Sequence, residues 1–151
     1  MADIVSKNKR SEMMAGILAK NTKPEVKIRK ALFQLGYRYK IHDNCLPGKP
    51  DLVFPKYHAV IFIHGCFWHA HDCHLFKWPS TRKEFWHIKI TGNKDRDSKH
   101  LKTLISSKWR VMTIWECALK GKHQLIFEKI IQETDQWLKS LDPIGEIGAG
   151  K

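Results

Sequence analysis

The stretch Ala59-Val60-Ile61-Phe62-Ile63-His64-Gly65-Cys66-Phe67-Trp68-His69-Ala70-His71-Asp72-Cys73-His74 decides how this chain folds. Its first part, Ala59 to Ile63, is an unbroken apolar run, the pattern of a central strand covered on both faces. At its carboxyl end that strand hands over to His64. From His64 to His74 the composition changes abruptly, and eleven residues hold four of the nine histidines and two of the four cysteines around the pair Phe67-Trp68. Imidazole and thiolate are the ligands zinc prefers, and imidazole also moves protons near neutral pH, so the segment suits structure, chemistry or both.

Upstream of this run, Leu46-Pro47-Gly48-Lys49-Pro50 predicts a tight connection into a strand Asp51-Leu52-Val53-Phe54 that Pro55 ends. Before it, Tyr37, Tyr39 and Ile41 alternate as in a further strand. Thr22 and Glu25 have the spacing of a capping box, and Ile28, Ala31, Leu32 and Leu35 follow at helical spacing until Gly36. Downstream, residues 83 to 107 predict a charged helix weakened at Thr91-Gly92, Arg110 to Glu116 a strand ending at Cys117, and Leu125 to Leu141 a last helix. The order helix, strands, helix, strand, helix implies an α/β protein with a mixed central sheet flanked by helices. Residues 1–21 are expected to be a polar, basic arm that orders on binding, residues 22–141 one domain, and residues 142–151 a disordered tail.

The charge limits the partners. Against 27 Lys and Arg stand 15 Asp and Glu, a net +12 in 151 residues, and such a field draws a chain toward polyphosphate. Nucleic acid leads, and a membrane surface is the competitor. The basic residues are scattered, however, and no apolar run nears the ~20 residues of a spanning helix, so no membrane partner is expected. Residues 1–10 are polar and lack the apolar stretch of a secretory signal, so a cytoplasmic location is expected. In a reducing compartment, cysteines mixed with histidines are metal ligands before they are disulfides.

Cys66, His71 and Cys73 lie close enough to share one tetrahedral ion, and Cys117, after the neighbouring strand, completes a Cys3His set. His74 competes with His71 for the fourth place. A closed set leaves no open position for substrate, so this zinc would be structural. Cys45 lies apart and is expected to be a core thiol. Catalysis must then come from elsewhere. Asp51 and His64 can face one another across a sheet end, with Glu25 reachable from the first helix, and a carboxylate at a strand end is how a nuclease holds magnesium. Taken singly, Asp51 is also a turn residue and Glu25 a helix cap. What argues for chemistry is their joint arrangement with His69, in the loop beyond the strand, and Asp97, which could orient it. Lys89, Asn93 and Asp97 share one helical face. Phe67, Trp68 and Trp86 beside a basic surface suit stacking on bases or wedging between base pairs.

Together, Leu46-Pro47-Gly48-Lys49-Pro50-Asp51, Ile61-Phe62-Ile63-His64-Gly65-Cys66-Phe67-Trp68-His69, Thr81-Arg82-Lys83-Glu84-Phe85-Trp86, Trp109-Arg110-Val111 and Trp115-Glu116-Cys117-Ala118-Leu119 resemble the very-short-patch repair (Vsr) DNA mismatch endonucleases. The resemblance spans about Arg10 to Trp137. It implies a restriction-endonuclease-like fold and a magnesium-dependent endonuclease that nicks one DNA strand 5′ to the thymine of a T:G mismatch left by deamination of 5-methylcytosine, in the context CT(A/T)GG. By the same resemblance, Asp51 and the backbone carbonyl of Ile63 would hold Mg2+, with Glu25 in support. His69 would be the general base with Asp97 behind it, and His64 would stabilise the phosphate or leaving group. Cys66, His71, Cys73 and Cys117 would hold structural Zn2+. Phe67, Trp68 and Trp86 would wedge into the duplex, Met14 and the arm would reach the opposite groove, and Lys89 and Asn93 would contact DNA. The implied partners are double-stranded DNA with a T:G mismatch and a MutL-type repair protein, for a monomeric, nucleoid-associated enzyme. A nickase without mismatch preference and a non-catalytic, zinc-stabilised DNA-binding module are the alternatives.

Overall fold

The computed structural model of the protein describes residues 23–149. Met14, the remainder of the arm and the cap residue Thr22 lie outside them. The elements run α1 (Lys23–Gln34), β1 (Lys40–Ile41), β2 (Leu52–Phe54), a 3-10 turn (Pro55–Tyr57), β3 (Ala59–His64), α2 (Lys83–Ser106), β4 (Arg110–Trp115), α3 (Glu116–Leu119), α4 (Phe127–Lys139) and β5 (Ile144–Ile147). They form one five-stranded sheet in the order β1-β2-β3-β4-β5. The β1–β2 and β2–β3 pairs are antiparallel, and β3–β4 and β4–β5 are parallel. The sheet is therefore mixed, as the sequence pattern predicts, and β3 lies at its centre.

Both faces of β3 are covered, which is why its sequence does not alternate. Val60 and Phe62 join Val53, Val111 and Leu104 on one face, beneath α2. Ala59 and Ile61 face the other way, into a larger cluster with Ile28 and Leu32 of α1, Met112 and Ile114 of β4, and Ile130, Trp137 and Leu138 of α4. Burying each such side chain stabilises the fold by about 1.5–3 kcal/mol. Helix α1 presents Glu25, Ile28 and Leu32 inward at i, i+3 and i+7, so one acid belongs to an otherwise apolar stripe. Helix α2 runs unbroken through Gly92 and buries only Ile90 and Leu104. Its remaining length is left to face solvent and the functional loop.

Several expectations are corrected. The chain after Leu141 is not a disordered tail through its described part, because Ile144–Ile147 forms β5, pairing Ile144 with Val111 and Glu146 with Thr113. Gly145 permits it: a Cβ there would lie 2.8 Å from the Trp137 ring and 2.9 Å from Met112 Cε. A four-residue strand preceded by Pro and interrupted by Gly carries little periodic signal, and tertiary packing makes it. The first strand is only two residues long, since Tyr37 turns into the core and its hydroxyl donates to Asp135 Oδ1 at 2.5 Å. Leu141 is 93% exposed beyond the end of α4. Cys45 is exposed in the β1–β2 connection, not a core thiol. Among the described residues, no helix is long and apolar enough to cross a membrane.

Candidate active site and metal cluster

The antiparallel step from β2 to β3 brings Asp51 against the end of the central strand, where its Oδ2 accepts the Ile63 backbone N–H at 2.6 Å. Glu25 reaches the same place from α1 and is almost fully buried. One Glu25 oxygen accepts from Arg29 at 3.1 Å and meets His42 Nε2 at 2.5 Å. The carboxyl oxygens of Glu25 and Asp51 and a His42 nitrogen all lie within 4.8 Å of one another. Burial, with Glu25 close by, pushes the Asp51 carboxyl up to about 7, against the lowering effect of the Ile63 N–H. Two carboxylates that disfavour each other's charge at a strand end, with Glu25 already bonded to Arg29 and His42, are chemically suited to a hard divalent cation.

His64 closes β3, and its ring stacks on that of His69 with centroids 3.7 Å apart and planes within 5°. His69 Nδ1 meets Asp97 Oδ2 of α2 at 2.5 Å. A histidine held by a carboxylate through one nitrogen offers the other to solvent or substrate, the arrangement of an oriented general base. Burial, and then the neighbouring His69, push His64 down to about 3, so this imidazole is neutral near pH 7. Asp51, His64 and His69 open with Glu25, Phe67 and Trp68 onto one cleft of about 890 Å3, whose lining includes Lys23, Lys49 and Lys120. Its basic contributors suit a phosphate backbone.

On the other side of the same loop, one ligand atom from each of Cys66, His71, Cys73 and Cys117 lies within 4.8 Å of the rest. His71 points Nδ1 inward, 3.4 Å from Cys66 Sγ and 3.5 Å from Cys117 Sγ. Cys66 and Cys117 are completely buried, and burial pushes both thiols up. Those groups are costly as free thiolates, and a zinc ion would remove that cost. The Cys3His set is therefore compatible with structural zinc. His74 is not in it; its ring packs edge-on against His123, 4.7 Å away. The parallel pairing that sets His64 beside Trp115 is what carries Cys117, two residues on, to the loop.

Phe67 is half-buried and edge-on to both Trp68 and Trp86, at 5.2 and 5.4 Å, and Trp68 is more than a third exposed. Helix α2 holds this group at the cleft: Asn93 Nδ2 donates to the Trp68 carbonyl at 3.0 Å, one turn before Asp97. Lys89 lies on that face, exposed. The structure thus gathers Asp51, Glu25, Ile63, His64, His69, Asp97, Phe67, Trp68, Trp86, Asn93 and the four zinc-type ligands around a single loop.

Sequence inspection missed three residues. His42 is placed by the β1–β2 hairpin, where its N–H donates to the Asp51 carbonyl at 3.2 Å, and only the hairpin register could have pointed to it. Glu116 accepts the Cys66 N–H at 3.2 Å. Glu146, on the unforeseen β5, accepts from Trp115 Nε1 at 2.9 Å.

A family model described as DNA mismatch endonuclease Vsr matches residues 2–75. The chain is 42% identical over 138 residues to the DNA mismatch endonuclease Vsr of Escherichia coli (strain K12), covering 91% of this chain and 88% of that protein. Over 122 residues it is 47% identical to the type II nicking enzyme V.NmeAIP of Neisseria meningitidis serogroup A, covering 81% and 87%. Over 119 residues it is 41% identical to the type II nicking enzyme V.XorIIP of Xanthomonas oryzae pv. oryzae, covering 79% and 88%.

Proposed function

Since the chain belongs to the Vsr DNA mismatch endonuclease family, with a restriction-endonuclease-like fold acting on DNA, we propose that it nicks one strand 5′ to the thymine of a T:G mismatch in a CT(A/T)GG context. The observation that carries this reading is His69, held by Asp97, stacked on His64 and opening with it onto the same cleft as Asp51.

In this mechanism Asp51 and the Ile63 carbonyl would hold magnesium, with Glu25 in support. Magnesium, when bound, neutralises charge developing on the scissile phosphate and the leaving oxygen. His69 takes the proton of the attacking water on its free nitrogen, while Asp97 fixes the ring and stabilises the imidazolium. His64, neutral and buried behind it, keeps a second charge away from His69 and offers an N–H to the phosphate or leaving group. Phe67, Trp68 and Trp86 wedge into the duplex beside the mismatch, which costs less to unstack than a matched pair. Lys89 and Asn93 contact the strand from α2, and Met14 and the arm of residues 1–21 reach the opposite groove. Cys66, His71, Cys73 and Cys117 would hold zinc, which would fix the loop carrying His69 and the wedge. The net +12 charge supports association with nucleic acid; a cytoplasmic, nucleoid-associated monomer with a MutL-type protein as a further partner rests on the family resemblance alone.

The test is magnesium-dependent cleavage of a labelled duplex with one T:G mismatch, beside its fully paired twin and an Asp51→Ala control. One nick 5′ to the thymine, absent from twin and control, supports the reading. Relatives named type II nicking enzymes favour a second one, a nickase without mismatch preference, and equal cutting of both duplexes would favour it.

A further inference from the structure

Strand β5 and the residues just after it pack against the metal cluster. Ala149 N–H donates to Cys117 Sγ at 3.2 Å. Glu146 Oε1 accepts from Trp115 Nε1 at 2.9 Å and lies 3.9 Å from His71 Nε2. The Trp115 ring is sandwiched: it stacks on His71 with centroids 4.0 Å apart and planes within 5°, and meets His64 edge-on at 5.4 Å. His71 has Nδ1 turned to the thiols, so its Nε2 is the nitrogen that faces Glu146.

We propose that Glu146 is a positioning residue with two separable tasks: it orients His71 as a zinc ligand from the Nε2 side, and it fixes Trp115 as the wall that the His64 and His69 rings meet edge-on, at 5.4 and 6.3 Å. The first task is electrostatic, because 3.9 Å is beyond hydrogen-bond reach: the carboxylate charge favours the His71 tautomer with its proton on Nε2, which leaves Nδ1 free for a metal. The second is mechanical. An indole held by its N–H cannot rotate about its long axis, and the rings packed on it keep their planes. Strand β5 thereby couples the zinc cluster to the histidine pair. The proposal rests on the zinc and nicking readings above.

The two tasks separate by substitution. Glu146→Gln keeps an oxygen for Trp115 Nε1 and loses the charge facing His71, whereas Glu146→Ala loses both. The Glu146 side chain is 62% exposed at a sheet edge, so neither change opens the core. Zinc content and release to a chromogenic chelator, and single-turnover nicking of the T:G duplex with zinc in excess, are measured for wild type, both variants and Glu128→Gln, an exposed acid on α4. Zinc release about 10–100-fold faster in both Glu146 variants and unchanged in Glu128→Gln is expected. For nicking, a severalfold lower rate at saturating enzyme in Glu146→Ala, with duplex affinity unchanged and the rate restored in Glu146→Gln, is expected. Release at the wild-type rate in both variants overturns the first task, and undiminished nicking in Glu146→Ala overturns the second. A wild type without zinc would instead sink the zinc reading itself and the first task with it.

Discussion

The imidazoles of His64 and His69 lie face to face, 3.7 Å between centroids, and only His69 has a carboxylate, Asp97 at 2.5 Å, on its ring. Two imidazolium ions at that separation would repel strongly, and burial, with His69 beside it, keeps His64 neutral near pH 7. The geometry gives the two histidines different work.

His69 and Asp97 should therefore behave as one unit. Asp97→Asn is expected to lower the single-turnover nicking rate by about 10²–10⁴-fold, within the usual range for general-base catalysis. His69→Ala should cost at least as much, and the double variant little more than His69→Ala alone. Losses that simply multiply would show the two residues to act separately.

The Asp51 carboxyl makes the stability of the magnesium-free protein depend on pH in an unusual sense. Its folded pKa is raised from 3.8 to about 7, so between those values the fold holds a proton that the unfolded chain has released. Stability is therefore greatest below about pH 4 on this account and falls as pH rises through 7, by up to about 4 kcal/mol. Denaturant melts of the zinc-loaded, magnesium-free protein at pH 5 and 8 should show the decline, and Asp51→Asn should flatten it. Magnesium should raise the melting temperature at pH 8 in the wild type and not in Asp51→Asn. Asp51→Ala should lose nicking while keeping zinc and duplex binding.

Cys117 ties the loop of residues 65–74 to β4 across 51 residues, with its N–H donating to Cys66 Sγ at 3.3 Å. Cys117→Ser is expected to lose zinc and to lower the melting temperature by on the order of 10 °C, because metal-binding energy in such a site is folding energy. Elemental analysis beside a thermal melt checks both. One zinc per wild-type chain and none in the variant is the expected count.

Trp68 and Trp86 face each other at 5.9 Å beside the cleft. Replacing either by Ala should weaken binding to the T:G duplex by about 1–3 kcal/mol, the scale of one base–aromatic stack, and weaken binding to the paired twin less. Fluorescence anisotropy on both duplexes at two salt concentrations separates this from charge, since the salt slope should stay the same.

The sequence by itself determined the parts whose signals are local. An apolar run without alternation marked β3, the periodic stripes marked α1, α2 and α4, and the density of His and Cys after Ile63 marked the functional loop, because burial on two faces and metal ligation both restrict residue type at the position concerned. Family motifs then assigned roles within the loop. Tertiary structure alone decided what depends on register and on packing between distant segments. The hairpin register puts His42 beside Asp51, and a strand too short to show a period, accommodated by Gly145 beneath Trp137, brings Glu146 to His71 and Trp115. Residues of this second kind carry no signature of their own, because a single polar side chain on a short segment looks the same whether it meets water or a buried ring. Their partners lie tens of residues away, and only the folded sheet brings them together.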